Sequence, residues 1–211
     1  MHNRTTASGR FIAIEGGEGA GKSRLLNALA ERLSAAEREV VLTREPGGTP
    51  LGEALRALVL SHQRRTDPTA ELLLFEAARA QLVSTLIRPA LERDAVVICD
   101  RFGASSIAYQ SFGRGIPRDV VERANAIATG GLVPALTLLL DLPVAAGLAR
   151  RADAGGGNRF DAESIEFHKR VRDGFLTLAQ EEPGRWCVID ASQPFESVLA
   201  TALEAVLPLV P

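Results

Sequence analysis

Short apolar segments alternate with longer amphipathic segments along the chain. Five apolar runs have the length and composition of strands, namely Phe11–Glu15, Glu39–Thr43, Ala95–Cys99, Ala135–Asp141 and Trp186–Asp190. The segments between them carry apolar residues at helical spacing: Ser23–Ala36, Pro50–Ser61, Ala70–Glu92, Arg118–Thr129, Pro143–Ala152, Glu163–Glu182 and Pro194–Leu207. Continuously apolar strands separated by helices are typical of parallel sheets with both faces covered. The pattern therefore predicts an α/β fold with a five-stranded parallel sheet and helices on both faces.

The domain organisation expected from this pattern is simple. Residues 1–10 are polar and predict a flexible N-terminal tail, and residues 11–211 predict a single domain. Residues 153–157 read DAGGG, and consecutive glycines disfavour a helix. A loop of this kind between two helices predicts a small flexible lid at about residues 152–163. Taken alone, the segment fits a plain surface connection as well, and only the motifs below favour the lid.

Composition and charge exclude several classes of protein. The formal net charge of the 211 residues is −2, so no global field favours nucleic acid or a membrane surface. No apolar run approaches the roughly 18 residues needed to span a bilayer, and residues 1–10 lack the apolar core of a secretory signal. We therefore expect a cytoplasmic protein. Cys99 and Cys187 each end or interrupt an apolar run, which predicts two buried free thiols.

A glycine-rich motif follows the first predicted strand and opens the first predicted helix. It fits the pattern G-x-x-x-x-G-K-[ST], in which backbone N–H groups and a helix N-terminus face a phosphate. Its residues are Gly16, Gly17, Glu18, Gly19, Ala20, Gly21, Lys22 and Ser23. Lys22 is one of only two lysines among 24 basic residues. The motif predicts that Lys22 contacts the β- and γ-phosphates of ATP and that Ser23 binds Mg²⁺.

Several enzyme classes share this motif, and further residues narrow the choice. A GTPase would need an N-K-x-D segment, which the chain lacks. Arg44 ends the second predicted strand, and Asp100 with Arg101 ends the third. In parallel sheets the carboxyl ends of the strands meet at the ligand-binding edge. Phe75 and Arg79 lie at positions i and i+4 of a helix, where an aromatic ring and a guanidinium can meet one ligand.

These segments together resemble the thymidylate kinase family. The resemblance rests on five segments in order, FIAIEGGEGAGKS, TREPGGTPLGE, LLLFEAARAQLV, CDRFGASSIAYQ and LLLDLP, of which TREPGGT is the most specific. It covers nearly the whole chain from residue 11. The resemblance implies a P-loop NTPase-type sheet, a homodimer, and transfer of the γ-phosphoryl group of ATP to dTMP with Mg²⁺ as cofactor.

The resemblance also implies roles for individual residues. Phe75 is expected to stack on thymine, with Arg79 on its carbonyl edge and Ser106 and Gln110 facing the base. Arg44 and Arg101 are expected to hold the acceptor phosphate, with Tyr109 and Glu18 at the sugar. Asp100 is expected near Mg²⁺ and the transferring group. Because residues 17 to 20 contain no arginine, the family pattern implies that a lid arginine, Arg159, is catalytic.

Some positions depart from the family pattern or keep an alternative. Phe102 stands where the family has a tyrosine or histidine, so a polar contact is lost there. Arg150 is expected near ATP, although with Arg151 it also fits a solvent-facing helix surface. Another nucleotide kinase, or a nucleotide-binding switch without transfer, remains as an alternative to the whole assignment.

Overall fold

The structure is a computed structural model that describes residues 7–34, 39–61, 66–153, 155 and 157–210. Its single described sheet has five parallel strands in the order β2-β3-β1-β4-β5. The strands are β1 (Ala7–Gly16), β2 (Val40–Arg44), β3 (Val96–Asp100), β4 (Val133–Asp141) and β5 (Trp186–Asp190). The parallel five-stranded sheet predicted from the apolar runs is confirmed.

The helices follow the amphipathic segments closely. They are α1 (Lys22–Ser34), α2 (Pro50–Val59), α3 (Pro68–Leu82), α4 (Arg88–Glu92), α5 (Gly103–Ser106), α6 (Arg118–Thr129), α7 (Val144–Asp153), α8 (Ile165–Glu181) and α9 (Phe195–Val206). A 3₁₀ turn, Leu207–Leu209, follows α9. None of the helices in the described ranges is long and apolar enough to cross a membrane.

Two wide π-helical turns interrupt the helical pattern. Val83–Ile87 divides the predicted helix at residues 70–92 into α3 and α4, and Ile107–Gly113 continues α5. Such turns are rare and often lie at functional sites. Apolar periodicity does not distinguish them from an α-helix, and the sequence analysis predicted neither. The second turn carries Tyr109 and Gln110, so it shapes the candidate site.

The core lies on both faces of the sheet because residues alternate along each strand. In β1, Ile12 and Ile14 pack with α1 and α9, whereas Phe11 and Ala13 pack with the end of α3 and with α4. A third cluster joins Tyr109 and Phe160 to α8. Helices on both faces are therefore confirmed.

Two expectations for the chain ends and cysteines need correction. β1 begins at Ala7, so residues 7–10 belong to a strand, in which Ala7 and Ser8 pair with β4, and the predicted tail is wrong for them; residues 1–6 lie outside the described residues. Both cysteines are free, as predicted, but only Cys99 is buried and Cys187 is partly exposed.

Candidate active site

The phosphate-binding loop joins β1 to α1 in a conformation that depends on glycine. Gly16, Gly19 and Gly21 have φ values of 144°, 68° and 94°, which side chains rarely allow. The turn brings the loop over the N-terminus of α1, where unpaired N–H groups accumulate. The predicted cradle therefore has the backbone form that an anion requires.

Helix α7 packs against this loop, backbone to backbone. A Cβ atom on Gly19 would lie 2.0 Å from the carbonyl oxygen of Gly147, and one on Gly147 would lie 2.4 Å from the carbonyl oxygen of Glu18. Neither contact leaves room for a side chain. The helix that enters the lid is thereby coupled directly to the cradle.

Lys22 is buried beneath the loop. Its Nζ donates to the carbonyl oxygens of Gly17 at 2.7 Å and Gly16 at 3.1 Å. Burial lowers the pKa of Lys22, Arg101 lowers it further, and Glu18 and Asp100 oppose both effects. Two carbonyl contacts are weak compensation for a buried ammonium, so a phosphate arriving above the loop provides the stronger partner.

Ser23 and Asp100 meet at the carboxyl edge of the sheet. The Ser23 hydroxyl donates to Asp100 Oδ2 at 3.0 Å, which brings the two predicted metal ligands together. Among the described residues there is no group of three or more His, Cys, Asp or Glu side chains that could hold a metal ion. Mg²⁺ keeps several waters and takes phosphate oxygens beside one or two protein oxygens, so this pair fits it.

Glu18 connects the cradle to the opposite wall of the site. Its Oε1 accepts from Arg101 Nη2 at 2.9 Å and from the Tyr109 hydroxyl at 2.8 Å. Burial raises the pKa of Glu18, but Arg101 and Lys22 outweigh it and bring the pKa down to about 2. Glu18 is therefore an ionised acceptor between the two halves of the site.

Arg101 is held by its backbone as well as its side chain. It has a φ of 70°, unusual for a residue with a side chain, and its N–H donates to Ile14 at 2.9 Å. Fully buried Glu15 accepts from Phe102 N at 2.8 Å and from the Ser105 hydroxyl at 2.6 Å, which fixes the turn that follows. Glu15 was not predicted as a site residue, since it ends the first predicted strand, just before the glycine-rich motif begins.

The other phosphate-binding candidate, Arg44, lies at the rim of the cavity. It is half exposed and donates to both carboxylate oxygens of Glu53, at 3.2 and 3.3 Å. Nearby Arg56 donates to the carbonyl oxygen of Pro46 at 2.8 Å and also lines the cavity. Arg56 was not predicted, because on α2 it reads as an ordinary helix charge.

Phe75 and Arg79 both line the cavity, as the i, i+4 spacing predicts. Arg79 is almost completely buried, and each of its three guanidinium nitrogens has a partner within the protein. Nε donates to Glu45 Oε2 at 2.8 Å, and Nη2 donates to the carbonyl oxygen of Phe102 at 3.2 Å. Nη2 also forms an ion pair with Glu45 Oε2 at 2.7 Å. Nη1 has three acceptors, Glu76 Oε1, Ser106 Oγ and Asn125 Oδ1. Each guanidinium nitrogen of Arg79 is thus already paired within the protein.

The surroundings of Arg79 are strongly charged. Burial raises the pKa of Glu45 to about 7, although Arg79 opposes this shift. Burial alone would lower the pKa of Arg79, but Glu45 and Glu76 outweigh that effect, so the pKa of Arg79 rises. One oxygen of each carboxylate, Glu45 Oε1 and Glu76 Oε2, has no hydrogen-bond partner among the described residues. Two carboxylates therefore share one guanidinium at the base of the cavity.

Gln110 and Glu71 extend this polar network. Gln110 Nε2 donates to Glu71 Oε1 at 2.8 Å, and Arg114 donates to both Glu71 oxygens at 3.2 Å. Glu71 is fully buried, although it lies near the start of α3. The sequence analysis missed Glu71; a charged residue on the apolar side of the helical pattern is the signal that could have found it.

Arg159, the lid arginine expected at the phosphates, lies outside the cavity in this structure. Arg159 donates to Glu71 Oε2 at 2.6 Å and to the carbonyl oxygen of Val59, so it lies against α3 and does not line the cavity. Arg150 and Arg151 do line it. Arg150 donates to the carbonyl oxygen of Ala191 at 3.0 Å, and Arg151 donates to the Asp161 carboxylate at 3.2 Å. In this arrangement Arg159 anchors the lid, because the buried carboxylate of Glu71 attracts it.

One cavity of about 510 Å³ brings most of the predicted site residues together. It is lined by Glu18, Gly19, Ala20, Gly21, Lys22, Ser23, Arg44, Phe75, Arg79, Asp100, Arg101, Ser106, Tyr109, Gln110 and Arg150. Gly16 and Gly17, the first two residues of the loop, and Arg159 are not among the residues that line this cavity. A phosphate cradle, several arginines and an aromatic ring in one cavity define a nucleotide-binding phosphotransferase with a P-loop.

Comparisons with known proteins give the family. The thymidylate kinase family model matches residues 14–202. The chain is 50% identical over 208 residues to the thymidylate kinase of Desulfovibrio desulfuricans, covering 93% of this chain and 96% of that protein. It is 48% identical over 210 residues to that of Thermosynechococcus vestitus, covering 94% and 87% respectively. The crystal structure of thymidylate kinase from Ehrlichia chaffeensis superposes with a TM-score of 0.77 at 35% identity, covering 93% of this chain and 97% of that one. The chain belongs to the thymidylate kinase family.

Proposed function

We propose that this protein transfers the γ-phosphoryl group of ATP to dTMP, giving ADP and dTDP. Membership of the family supports this activity. The main support is that the phosphate cradle lines the same cavity as Phe75 and Arg101, the residues expected to bind the base and the phosphate of the acceptor. A nucleotide bound at the cradle and a second one bound at Phe75 and Arg101 would meet through their phosphates, as transfer requires.

On the donor side, the cradle and Lys22 would hold the ATP phosphates. Their arrival would replace the Gly16 and Gly17 carbonyl contacts of Lys22 with charged oxygens. Arg150, beside Ala191, would lie near the base or ribose of ATP. Ser23 and Asp100 would hold Mg²⁺, whose charge offsets that of the phosphates when it is bound.

On the acceptor side, Arg44 and Arg101 would hold the dTMP phosphate, and Phe75 would stack on the thymine. Tyr109 and Glu18 would meet the sugar, since the ionised Glu18 carboxylate is a strong acceptor for a hydroxyl. Ser106 accepts from Arg79, so its own hydrogen is free to donate to the carbonyl edge of the base. Arg79 would then act through Ser106.

Transfer itself needs alignment and charge stabilisation more than a strong base. The acceptor phosphate is largely ionised near neutral pH, so an oxygen of dTMP can attack directly. Lys22 and a lid arginine would stabilise the charge that develops. Arg151 already lines the cavity, whereas the predicted Arg159 would serve only after leaving Glu71.

The test is ADP production from MgATP with a panel of acceptors. We expect strong preference for dTMP over thymidine, dGMP and AMP, and only slow turnover without acceptor. Loss of turnover in Lys22→Ala would tie the activity to the cradle. Preference for another acceptor would refute the assignment of dTMP, and acceptor-independent ATP hydrolysis would refute the kinase.

The homodimer is also part of the proposal. Helices α3 and α6 pack together and expose large apolar side chains, with Leu73 60% and Ile127 83% accessible. Such a patch fits a second copy of the chain. Light scattering after gel filtration should give twice the monomer mass for the wild type and for Ile165→Arg, a control on α8. A dimeric Ile127→Arg would refute this face as the interface.

A cytoplasmic location is proposed as well. Both cysteines of the chain are free, and ATP and dTMP are nucleotides of the cell interior. Cell fractionation followed by an immunoblot tests this location, and recovery with the membrane or secreted fraction would contradict it.

A further inference from the structure

Glu71 is a buried carboxylate that touches three other functional elements. It accepts Gln110 Nε2 and Arg114 Nε on Oε1, and Arg114 Nη2 and Arg159 Nη2 on Oε2. All of these bonds are donated to Glu71, and it does not itself line the cavity. Its influence on a bound nucleotide must therefore pass through one of its partners.

Gln110 is the partner that lines the cavity. Because a carboxylate oxygen has no hydrogen to donate, the amide of Gln110 must turn its NH₂ group toward Glu71. Within the described ranges, no donor forms a hydrogen bond with Gln110 Oε1. This oxygen is also not one of the fully buried polar atoms that lack a hydrogen bond. Gln110 is almost completely buried but lines the cavity, so Oε1 is the amide atom left to accept from a bound base.

The orientation of Glu71 is itself fixed. Arg114 donates hydrogen bonds from Nε and Nη2 to the two oxygens of the Glu71 carboxylate, a bidentate contact. Arg114 Nη1 also pairs with Glu163 at 2.6 Å, and its guanidinium lies 4.7 Å from the ring centre of Phe167. A flipped Gln110 amide would place its oxygen against a carboxylate that cannot turn away, which is unfavourable in a buried site.

We propose that Glu71 is a positioning residue that selects the base by fixing the amide of Gln110. With its oxygen toward the cavity, Gln110 accepts from a ring N–H and repels a ring nitrogen that carries a lone pair. Thymine and uracil have this N–H, and cytosine has the lone pair. The inference rests on the proposed function, and it makes Glu71 a determinant of selectivity among pyrimidine nucleotides.

The test compares kcat/KM for dTMP, dUMP and dCMP in the wild type, Glu71→Gln and Glu163→Gln. A glutamine at position 71 can donate or accept, so it tolerates both orientations of Gln110. We expect the dUMP/dCMP ratio to fall on the order of ten-fold in Glu71→Gln. The dTMP/dUMP ratio should stay the same, because both bases carry the N–H. Glu163→Gln weakens the ion pair with Arg114 but keeps the hydrogen bond between Gln110 and Glu71. The dUMP/dCMP and dTMP/dUMP ratios of this control should therefore match those of the wild type.

Several results separate selectivity from folding. A structural defect lowers kcat/KM for all three nucleotides alike, whereas the proposed role changes a ratio. If Glu71→Gln does not fold, the double variant Glu71→Gln/Arg114→Met removes the buried guanidinium that has lost its charged partner at position 71, and it provides the same comparison. An unchanged dUMP/dCMP ratio in a folded variant overturns the role of Glu71, as does a wild type that uses dCMP as well as dUMP. No turnover with any of the three overturns the proposed function, and this inference with it.

Discussion

The contact between α7 and the phosphate-binding loop makes Gly147 a sensitive position. A Cβ atom there would lie 2.4 Å from the carbonyl oxygen of Glu18, about 1 Å closer than the roughly 3.3 Å of an ordinary C–H···O contact. Both groups belong to backbone, so no side-chain rotation relieves the overlap. In Gly147→Ala either the loop or α7 must shift.

Two opposing terms set the effect on stability. Alanine favours a helix over glycine by about 1 kcal/mol, and overpacking costs about 1–3 kcal/mol. We expect a net loss of about 1 kcal/mol, which lowers Tm by roughly 2–4 °C in a chain of this size. A shift of about 1 Å in the cradle affects phosphoryl transfer far more, lowering kcat/KM for ATP on the order of 100-fold.

An enzyme-coupled ADP assay and a thermal melt measure these two effects separately. Gly184→Ala is the matched control, because nothing lies within 4 Å of the added Cβ atom. We expect the control to retain wild-type kcat/KM. If Gly147→Ala stays within about two-fold of the wild type for ATP, the coupling of α7 to the cradle is wrong.

Three further predictions follow from the charged residues of the site. Lys22→Ala should lower kcat on the order of 100-fold, because it removes charge stabilisation of the transferring group, and an unchanged kcat would exclude this role. In single-turnover measurements, Arg151→Ala should lower kcat on the order of 10³-fold, whereas Arg159→Ala should change kcat by less than about ten-fold. A larger effect of Arg159→Ala than of Arg151→Ala would show that Arg159 leaves Glu71 to act on the phosphates. The pKa of Glu45, raised by burial from 4.5 to about 7, makes its contribution to folding stability complete below pH 4.5 and lost as the pH rises through 7. The Tm of the wild type should therefore fall relative to that of Glu45→Gln between about pH 5 and pH 8, and parallel pH profiles would contradict the raised pKa.

The cradle illustrates what local sequence can predict. Its glycines, lysine and serine are consecutive, and the left-handed turns they require are decided within a few residues of one another. Arg44, Asp100 and Arg101 were predictable for a related reason, since parallel strands carry their last residues to one edge of the sheet. Phe75 and Arg79 follow from helical spacing alone.

The partners of those side chains were not predictable in the same way. Arg79 was expected to have donors for the base, but Glu45 after β2, Glu76 on α3 and Asn125 on α6 accept from its guanidinium. Arg159 was expected at the phosphates, but a carboxylate 88 positions away holds it against α3.

The amino-acid sequence by itself determined the order of strands and helices, the cradle and the family, because apolar periodicity and motif spacing are properties of neighbouring residues. Only the tertiary structure decided where β1 begins, where the π-helical turns fall and which acceptors the buried arginines use. Those features depend on burial, and a buried charge takes whichever opposite charge the packing brings within reach. The amide of Gln110 is the clearest case, since its orientation depends on Glu71, a residue from a separate helix.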